Sequence, residues 1–348
     1  MRLSSRAALA AATLSCVTVL AACGSETAGG PSSDGELRVV ASTNVWGSIA
    51  QAVAGDRIEV ESLISQPSAD PHSYEASPLD AAAISDASLV VYNGGGYDHF
   101  VDDILESIGG EVPTVEAFAL FESGEHSDLH AGHDHGTSTD TPAAETPAED
   151  EATHDHAGDD HGGDGHEGHD HSGVNEHVWY DLATADAVAH AVAEQLSELD
   201  PEGAQVYRDN AAAFHESLHG ISDVTTRIAD THADAPIAQT ETIGHYLVLS
   251  AGLDDVTPTD FTNAIENGTD PSPASIAETR QLLLDKKVGV LLYNPQTEDK
   301  VSREMRSAAE SSGIPVVEVF ETLPEGLDYI QWQTRTAESL ATGLDSAS

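Results

Sequence analysis

The stretch LRVVASTNVWGSIAQAVAG, residues 37–55, shows the pattern on which the fold is built. Its apolar start, residues 37–41, predicts a strand, and residues 45–54 predict a helix that stops at Gly55. A second strand is predicted over residues 58–64. This β-α-β order is typical of a parallel sheet with helices on its faces.

The same alternation recurs on both sides of a long helical region. In the first half we predict helices at 79–87 and 99–108 and strands at 89–92 and 112–117. Pro201 divides two further helices, which we predict at 184–199 and 203–228. The second half predicts strands at 236–239, 288–293 and 316–320, and helices at 243–250, 276–284, 302–311 and from Leu327 onward.

These elements predict an α/β fold of two βα lobes, each a mostly parallel sheet flanked by helices, joined by a long helix. The N-terminal lobe is predicted over 37–200, the linking helix over 201–231 and the C-terminal lobe over 232–348. Two lobes joined in this way leave a cleft between them, where a ligand can bind.

The first residues carry a targeting signal. Arg2 and Arg6 precede an apolar run, and Leu-Ala-Ala-Cys at 20–23 has the small-residue pattern of a cleavage site. This tetrad resembles a bacterial lipobox, which predicts a signal peptide over 1–22, a lipid on Cys23 and a flexible tether over 23–36. We therefore expect an extracytoplasmic protein anchored to the cell membrane by its lipid. Cys16 leaves with the signal peptide, so cysteine-rich zinc sites are excluded.

The chain is strongly acidic, with a formal net charge of −48. No Lys or Arg occurs between Arg57 and Arg208. Such a charge repels nucleic acids and favours cations, so we expect no nucleic-acid partner. Acidity by itself does not name a ligand, because a salt-adapted surface has the same composition.

Residues 122–173 contain ten histidines, many carboxylates and no Lys or Arg, and this composition predicts a long disordered insertion. His-x-His pairs in an extended chain place both imidazoles on one side, where they can share an ion. Because each binding event orders part of the chain, we expect several weak sites that collect metal. The candidate weak ligands are His133, His135, His154, His156, His161, His166, His169 and His171.

Four candidate ligands lie near predicted strand ends or where folded sequence resumes after the insertion. They are His72 in DPHSYE, His177 in NEHVWY, Glu241 in the Thr-Glu pair after the 236–239 strand, and Glu298 in YNPQTED. Each alone has an ordinary structural explanation, since a histidine beside aromatic residues can be a packing residue and a carboxylate can cap a helix. Ligands of open α/β sheets bind at the carboxyl ends of strands, so together they predict a two-His, two-carboxylate metal site.

DPHSYEASPLD and NEHVWYDL, with the alternation around them, resemble the metal-binding proteins of bacterial zinc and manganese ABC importers, the cluster A-I solute-binding lipoproteins. The resemblance implies two βα lobes on a rigid long helix with the metal between them. It implies His72 and His177 as the first two ligands. Glu241 stands where zinc-type members usually have histidine and manganese-type members have glutamate, and Glu298 stands where aspartate is common. These departures leave His245 and Asp299 as alternative ligands.

We therefore predict a monomeric binding protein that captures Zn²⁺ and delivers it to an ABC permease. Mn²⁺ is the alternative ion, because two carboxylates suit it, whereas the histidine-rich insertion favours Zn²⁺. A metal-storage or buffering lipoprotein is the alternative of another class. We do not expect an enzyme, because the sequence contains no HExxH motif, and HDHAGDDH has two residues too many for the ligand string of metallo-hydrolases.

Overall fold

A computed structural model describes residues 37–66, 69, 71–110, 112–124 and 174–347. The predictions for the signal peptide, the tether, Cys23 and the eight weak histidine ligands lie outside these residues. Within the described ranges, no helix combines the length and the apolar character needed to span a bilayer.

The first sheet has four parallel strands in the order β2-β1-β3-β4. The strands are β1 (Val39–Thr43), β2 (Val60–Ile64), β3 (Leu89–Tyr92) and β4 (Thr114–Glu116). The helices between and after them are α1 (Asn44–Ala54), α2 (Pro78–Ser85), α3 (Phe100–Ile108) and α4 (Ala117–Ser123). β1 and β3 are buried along their whole length, as expected for central strands covered on both faces.

A pair of helices follows where folded sequence resumes. α5 (Leu182–Leu199) begins at Asp181, whose side chain accepts a hydrogen bond from the Thr184 backbone. A short turn at Pro201 leads into α6 (Ala204–Thr231), which has 28 residues. α6 lies within the range 201–231 predicted for the linking helix, whose first three residues form the turn, and the division of the chain into lobes at 200 and 232 stays a prediction.

The second sheet repeats the order of the first, as β6-β5-β7-β8, again with parallel strands. Its strands are β5 (Pro236–Gln239), β6 (Asp254–Asp255), β7 (Leu291–Tyr293) and β8 (Val316–Glu318). Its helices are α7 (His245–Ser250), α8 (Thr259–Glu266), α9 (Pro273–Leu284), α10 (Lys300–Ser312) and α11 (Tyr329–Ala347). The prediction of two parallel βα units flanked by helices is confirmed.

Two elements of the second unit escape prediction because their sequences lack a clear pattern. β6 consists of two exposed aspartates, which are depleted in strands. α8 has the sequence TDFTNAIE, with Thr, Asp and Asn at half of its positions, and these residues favour caps and turns over helix interiors. α8 matters for the site because its last residue is Glu266.

One hydrophobic core runs between the two sheets rather than stopping at each lobe. It includes Trp46 from α1, Leu218 from α6, Leu292 from β7 and Trp332 from α11. α11 packs against α6, so the end of the chain returns to the linking helix. The two sheets are therefore held to a shared helical layer, and their strand-end loops form the walls of the site.

Candidate metal centre

His72 lies in a single turn of 3₁₀ helix, Pro71–Ser73, in the connection after β2. Its Nε2 is 3.3 Å from Glu176 Oε1 and its Nδ1 is 3.5 Å from Glu321 Oε2. The edge-to-face packing of its ring on Tyr97, with centroids 4.8 Å apart, limits its rotation. A protonated imidazole donates from both nitrogens, so His72 can pair with both carboxylates at once when no metal is bound.

His177 is buried at the start of the turn Val178–Tyr180, and its neighbour Asn175 determines its tautomer. One amide atom of Asn175 lies 3.1 Å from the Thr242 carbonyl oxygen, and only the amide nitrogen, Nδ2, can donate to that oxygen. The amide atom on the other side is therefore the oxygen, Oδ1. That oxygen lies 3.0 Å from His177 Nδ1 and therefore accepts its proton. In the neutral ring Nε2 is then left with the lone pair that a metal ion requires.

The His72 and His177 rings lie beside each other, with centroids 5.8 Å apart. Donor atoms of His72, Glu176 and His177 all lie within 4.8 Å of one another. Burial is the largest single influence on the Glu176 carboxyl and would raise its pKa, but the hydrogen bond from His72 and the charges of His177 and His72 together lower this pKa to about 2. Glu176 is therefore ionised and holds His72 in place.

Glu241 follows β5 and is buried. It accepts hydrogen bonds from Asn294 Nδ2, at 2.9 Å, and from Thr297 Oγ1. Burial is the main reason that the pKa of Glu241 rises to about 7; the charge of Glu321 adds to it, and the two hydrogen bonds oppose it. The ionised form of Glu241 is thus poorly compensated in the metal-free protein.

Glu321 follows β8 and, like Glu241, is buried. Its Oε1 accepts from Asn294 Nδ2 at 3.0 Å, so the Asn294 amide bridges the two carboxylates Glu241 and Glu321. Among the described residues its buried Oε2 accepts no hydrogen bond, although His72 Nδ1 lies 3.5 Å away and can form an ion pair with it when protonated. A buried carboxylate oxygen without a donor is costly unless a cation approaches it.

A fourth carboxylate, Glu266 at the end of α8, completes the cluster. It accepts from Thr242 Oγ1 at 2.8 Å and lies 3.8 Å from His177 Nδ1. Burial, together with the charge of Glu176, raises the pKa of Glu266 to about 7. Clefts of about 540 and 570 Å³, both lined by His72 and Glu266, give solvent access to the centre.

Three sequence candidates have other roles in the structure. Glu298 does not join the cluster, because its carboxylate accepts from Tyr293 OH at 2.5 Å and from Arg303 Nη1 at 3.2 Å on the surface. Asp299 caps α10 by accepting from the Ser302 backbone at 2.6 Å. His245 starts α7 and faces the larger cleft, while burial lowers its pKa.

Sequence reasoning missed Glu176, Glu266, Glu321 and the bridging amide of Asn294. Three of these carried usable signals, and Asn294 is one of them because it directly follows the predicted strand at 288–293. Glu176 is adjacent to His177, and Glu321 directly follows the predicted strand at 316–320, so the strand-end rule applied to it as well. Glu266 carried no such signal, because α8 itself was not predicted.

Comparison with known proteins finds similar chains among metal-binding lipoproteins and periplasmic binding proteins. The manganese-binding lipoprotein MntA of Halalkalibacterium halodurans is 24% identical over 343 residues, covering 94% of each chain. The zinc-binding lipoprotein AdcA of Streptococcus pneumoniae serotype 4 is 24% identical over 341 residues, which cover 95% of this chain and 59% of AdcA. In fold, the chain resembles the periplasmic zinc-binding protein TroA of Treponema pallidum, with a TM-score of 0.66 at 15% identity, over 89% of this chain and 99% of TroA.

A family model covers nearly the whole of the described chain. It is described as zinc-uptake complex component A, periplasmic (ZnuA), and it matches residues 39–343. The matched residues include both sheets, which have the same strand order, and the helices between them. They also include the histidine-carboxylate centre at the strand ends. The chain therefore belongs to the zinc-uptake complex component A family.

Proposed function

We propose that this protein captures Zn²⁺ outside the cytoplasm, in the centre between its two sheets, and passes the ion to the permease of an ABC importer. The observation that carries the proposal is the convergence of two imidazoles, His72 and His177, with a cluster of buried carboxylates. A dication placed there offsets the negative charge of the carboxylates. It also takes the place of the proton through which a protonated His72 pairs with them.

As ligands we propose His72, His177, Glu241 and Glu321. Glu321 has a buried oxygen that accepts no hydrogen bond from the described residues, and Glu241 has a carboxylate whose charge is poorly compensated. The Asn294 amide holds these two carboxylates side by side and leaves Glu321 Oε2 available. Glu176 and Glu266 then act as the surrounding carboxylates, which orient the imidazoles and add negative charge.

The ion is proposed to be Zn²⁺ rather than Mn²⁺, although relatives carry names of both kinds. Two carboxylates suit Mn²⁺, but nitrogen and oxygen sites generally bind Zn²⁺ more tightly. The ten histidines within residues 122–173 would also concentrate Zn²⁺ better than Mn²⁺. Competition dialysis with both ions tests this choice, and growth of a deletion strain that manganese rescues but zinc does not would overturn it. Growth that needs no metal supplement would favour storage over import.

The ligand set is tested by calorimetric titration of matched variants. We expect His72→Ala, His177→Ala, Glu241→Gln and Glu321→Gln each to weaken tight Zn²⁺ binding by about 100-fold or more, beyond the roughly 10–100-fold typical of outer residues. Glu298→Gln is the control, because it changes the same residue type at a neighbouring strand end. A loss with Glu298→Gln and none with Glu321→Gln would contradict the assignment.

We also propose that the chain works as a monomer held to the membrane by a lipid on Cys23. The Leu-Ala-Ala-Cys tetrad and the lipoprotein names of its relatives support the lipid anchor. Cell fractionation of Cys23→Ser should find the protein released from membranes. Retention in the membrane fraction would contradict lipid anchoring.

A further inference from the structure

A second group of histidines lies on the α5–α6 helix pair, away from the strand-end loops that form the cleft centre. Asp186 and His190 are one turn apart on α5, and His215 and His219 are one turn apart on α6. Residues four apart share one face of a helix. Because a short turn joins α5 to α6 and the helices pack together, the two pairs meet across the helix interface.

The distances fit a shared ion. Asp186 Oδ2 is 3.0 Å from His215 Nδ1, and Asp186 Oδ1 is 3.7 Å from His190 Nε2. The donor atoms of these three residues all lie within 4.8 Å of one another. The His219 ring packs edge-to-face on His215, with centroids 5.1 Å apart. Ligand atoms around a tetrahedral Zn²⁺ with bonds of about 2.0–2.1 Å are separated by about 3.3 Å, so small rotations suffice to close Asp186, His190 and His215 around an ion, and His219 lies beside them as a candidate fourth ligand.

Burial and charge give a reason for an ion to bind there. Asp186 is fully buried, and no described residue donates a hydrogen bond to its Oδ1. In the described part of the chain, its ion-pair partners are His190 and His215. These side chains are 55% and 27% exposed, so the buried carboxylate lies beneath imidazoles that solvent ions can reach. A buried carboxylate oxygen pointing at accessible imidazoles is the arrangement that a bound cation stabilises.

We propose that Asp186, His190, His215 and His219 form a second binding site for a zinc-type transition-metal ion, separate from the cleft. Three imidazoles and one carboxylate suit Zn²⁺, Ni²⁺ or Cu²⁺, and disfavour the hard ions Mn²⁺, Mg²⁺ and Ca²⁺. An ion held here links α5 to the helix that joins the two sheets. It therefore stabilises the folded helix pair, because the site does not exist in the unfolded chain.

The test counts bound Zn²⁺ per full-length chain by equilibrium dialysis and elemental analysis. We expect His190→Ala/His215→Ala to lose one ion relative to the unchanged chain, and Asp186→Asn, which keeps the side-chain shape, to lose the same ion. The control is His232→Ala, since His232 also pairs with a carboxylate, Asp345, at 2.9 Å but belongs to no candidate metal cluster among the described residues. The histidines of residues 122–173 are common to all variants and cancel in the difference.

A second measurement separates this site from the cleft. In the His72→Ala/His177→Ala background, Zn²⁺ should still raise the thermal unfolding midpoint, and adding His190→Ala/His215→Ala should abolish that rise. Mn²⁺ should have no such effect in this background. Equal ion counts for His190→Ala/His215→Ala and His232→Ala, with an unchanged zinc-dependent midpoint, would overturn the proposal. Failure of the cleft assignment would instead appear as unchanged tight binding in His72→Ala/His177→Ala.

Discussion

At the scale of single residues, the centre depends on side chains that hold the ligands as much as on the ligands themselves. Asn175 accepts from both the backbone and the ring of His177, and Asn294 donates to both Glu241 and Glu321. The Asn175 amide thus orients the backbone and the ring of His177, and the Asn294 amide orients the carboxylates of Glu241 and Glu321. Outer residues of this kind set ligand tautomer and direction, which determines how readily an ion is bound.

Removing the oxygen that orients His177 should weaken metal binding although no ligand is lost. We expect Asn175→Ala to lower Zn²⁺ affinity by about 10–100-fold, because the ring loses the acceptor for Nδ1–H. Asn175→Asp keeps that acceptor and should lose much less. Calorimetry on both variants checks the prediction, and equal losses in the two would show that the tautomer is not what Asn175 controls.

The pH dependence of binding follows from the carboxyls of Glu241 and Glu266, whose pKa values are raised to about 7. Above pH 7 both are mainly ionised and ready for a cation, and below pH 7 an incoming ion must displace protons. Zn²⁺ affinity should therefore fall as the pH drops from 8 to 6, by up to about tenfold per unit for each proton displaced. Glu241→Gln should reduce the slope as well as the affinity, and a Kd independent of pH would contradict the raised pKa values.

At the scale of elements, the segment that carries Glu321 is tied to the first lobe. Tyr97 OH donates to the Glu321 carbonyl at 3.3 Å, and Tyr180 OH accepts from the Phe320 backbone at 3.1 Å. Asn44 makes two hydrogen bonds with the backbone of Leu323, at 2.8 and 3.0 Å. Glu321 thus follows a strand of the second sheet, yet the first lobe holds it beside His72.

The long helix α6 contributes to the hydrophobic core that both sheets share. Leu218 on its buried face belongs to the shared core, whereas Val206 on the same helix is 41% exposed. Leu218→Ala should lower the free energy of unfolding by about 2–5 kcal/mol, as for other buried leucines, and Val206→Ala by no more than about 0.5 kcal/mol.

Urea titrations followed by circular dichroism and by tryptophan fluorescence measure both variants. Because one core spans both sheets, we expect the two signals to change in a single coincident transition. Separate transitions would mean that each lobe unfolds independently, in contradiction to a shared helical layer.

At the scale of the whole molecule, we predict that metal capture is divided between the cleft and the histidine-rich segment of residues 122–173. Replacing the eight weak-ligand histidines with Asn keeps the chain length and should abolish the weak Zn²⁺ steps in calorimetry while leaving the tight step unchanged. The physical reason is that none of the four cleft ligands comes from residues 125–173. Loss of the tight step in this variant would show that the segment contributes a ligand to the cleft.

The strand-helix alternation could be predicted because it depends on local periodicity, and the predicted strands and helices are found with shifts of a few residues at their ends. The rule that ligands lie beyond strand ends pointed to His72 and Glu241, and the return of folded sequence after the insertion pointed to His177; all three lie around the centre. That rule could not choose between Glu298 and Glu321. The choice depends on Arg303, which pairs with Glu298 at the surface, and on Asn294, which reaches back to Glu241.

The sequence by itself determined the order of the elements, the acidic and histidine-rich character of the chain and the set of residues able to bind metal. Only the tertiary structure decided which of those residues meet. His72 and Glu176 are 104 positions apart, Glu241 and Asn294 are 53 apart, and Asp186 and His215 are 29 apart on different helices. Periodicity reports the face on which a residue lies, whereas such pairings arise when separate elements pack around one core.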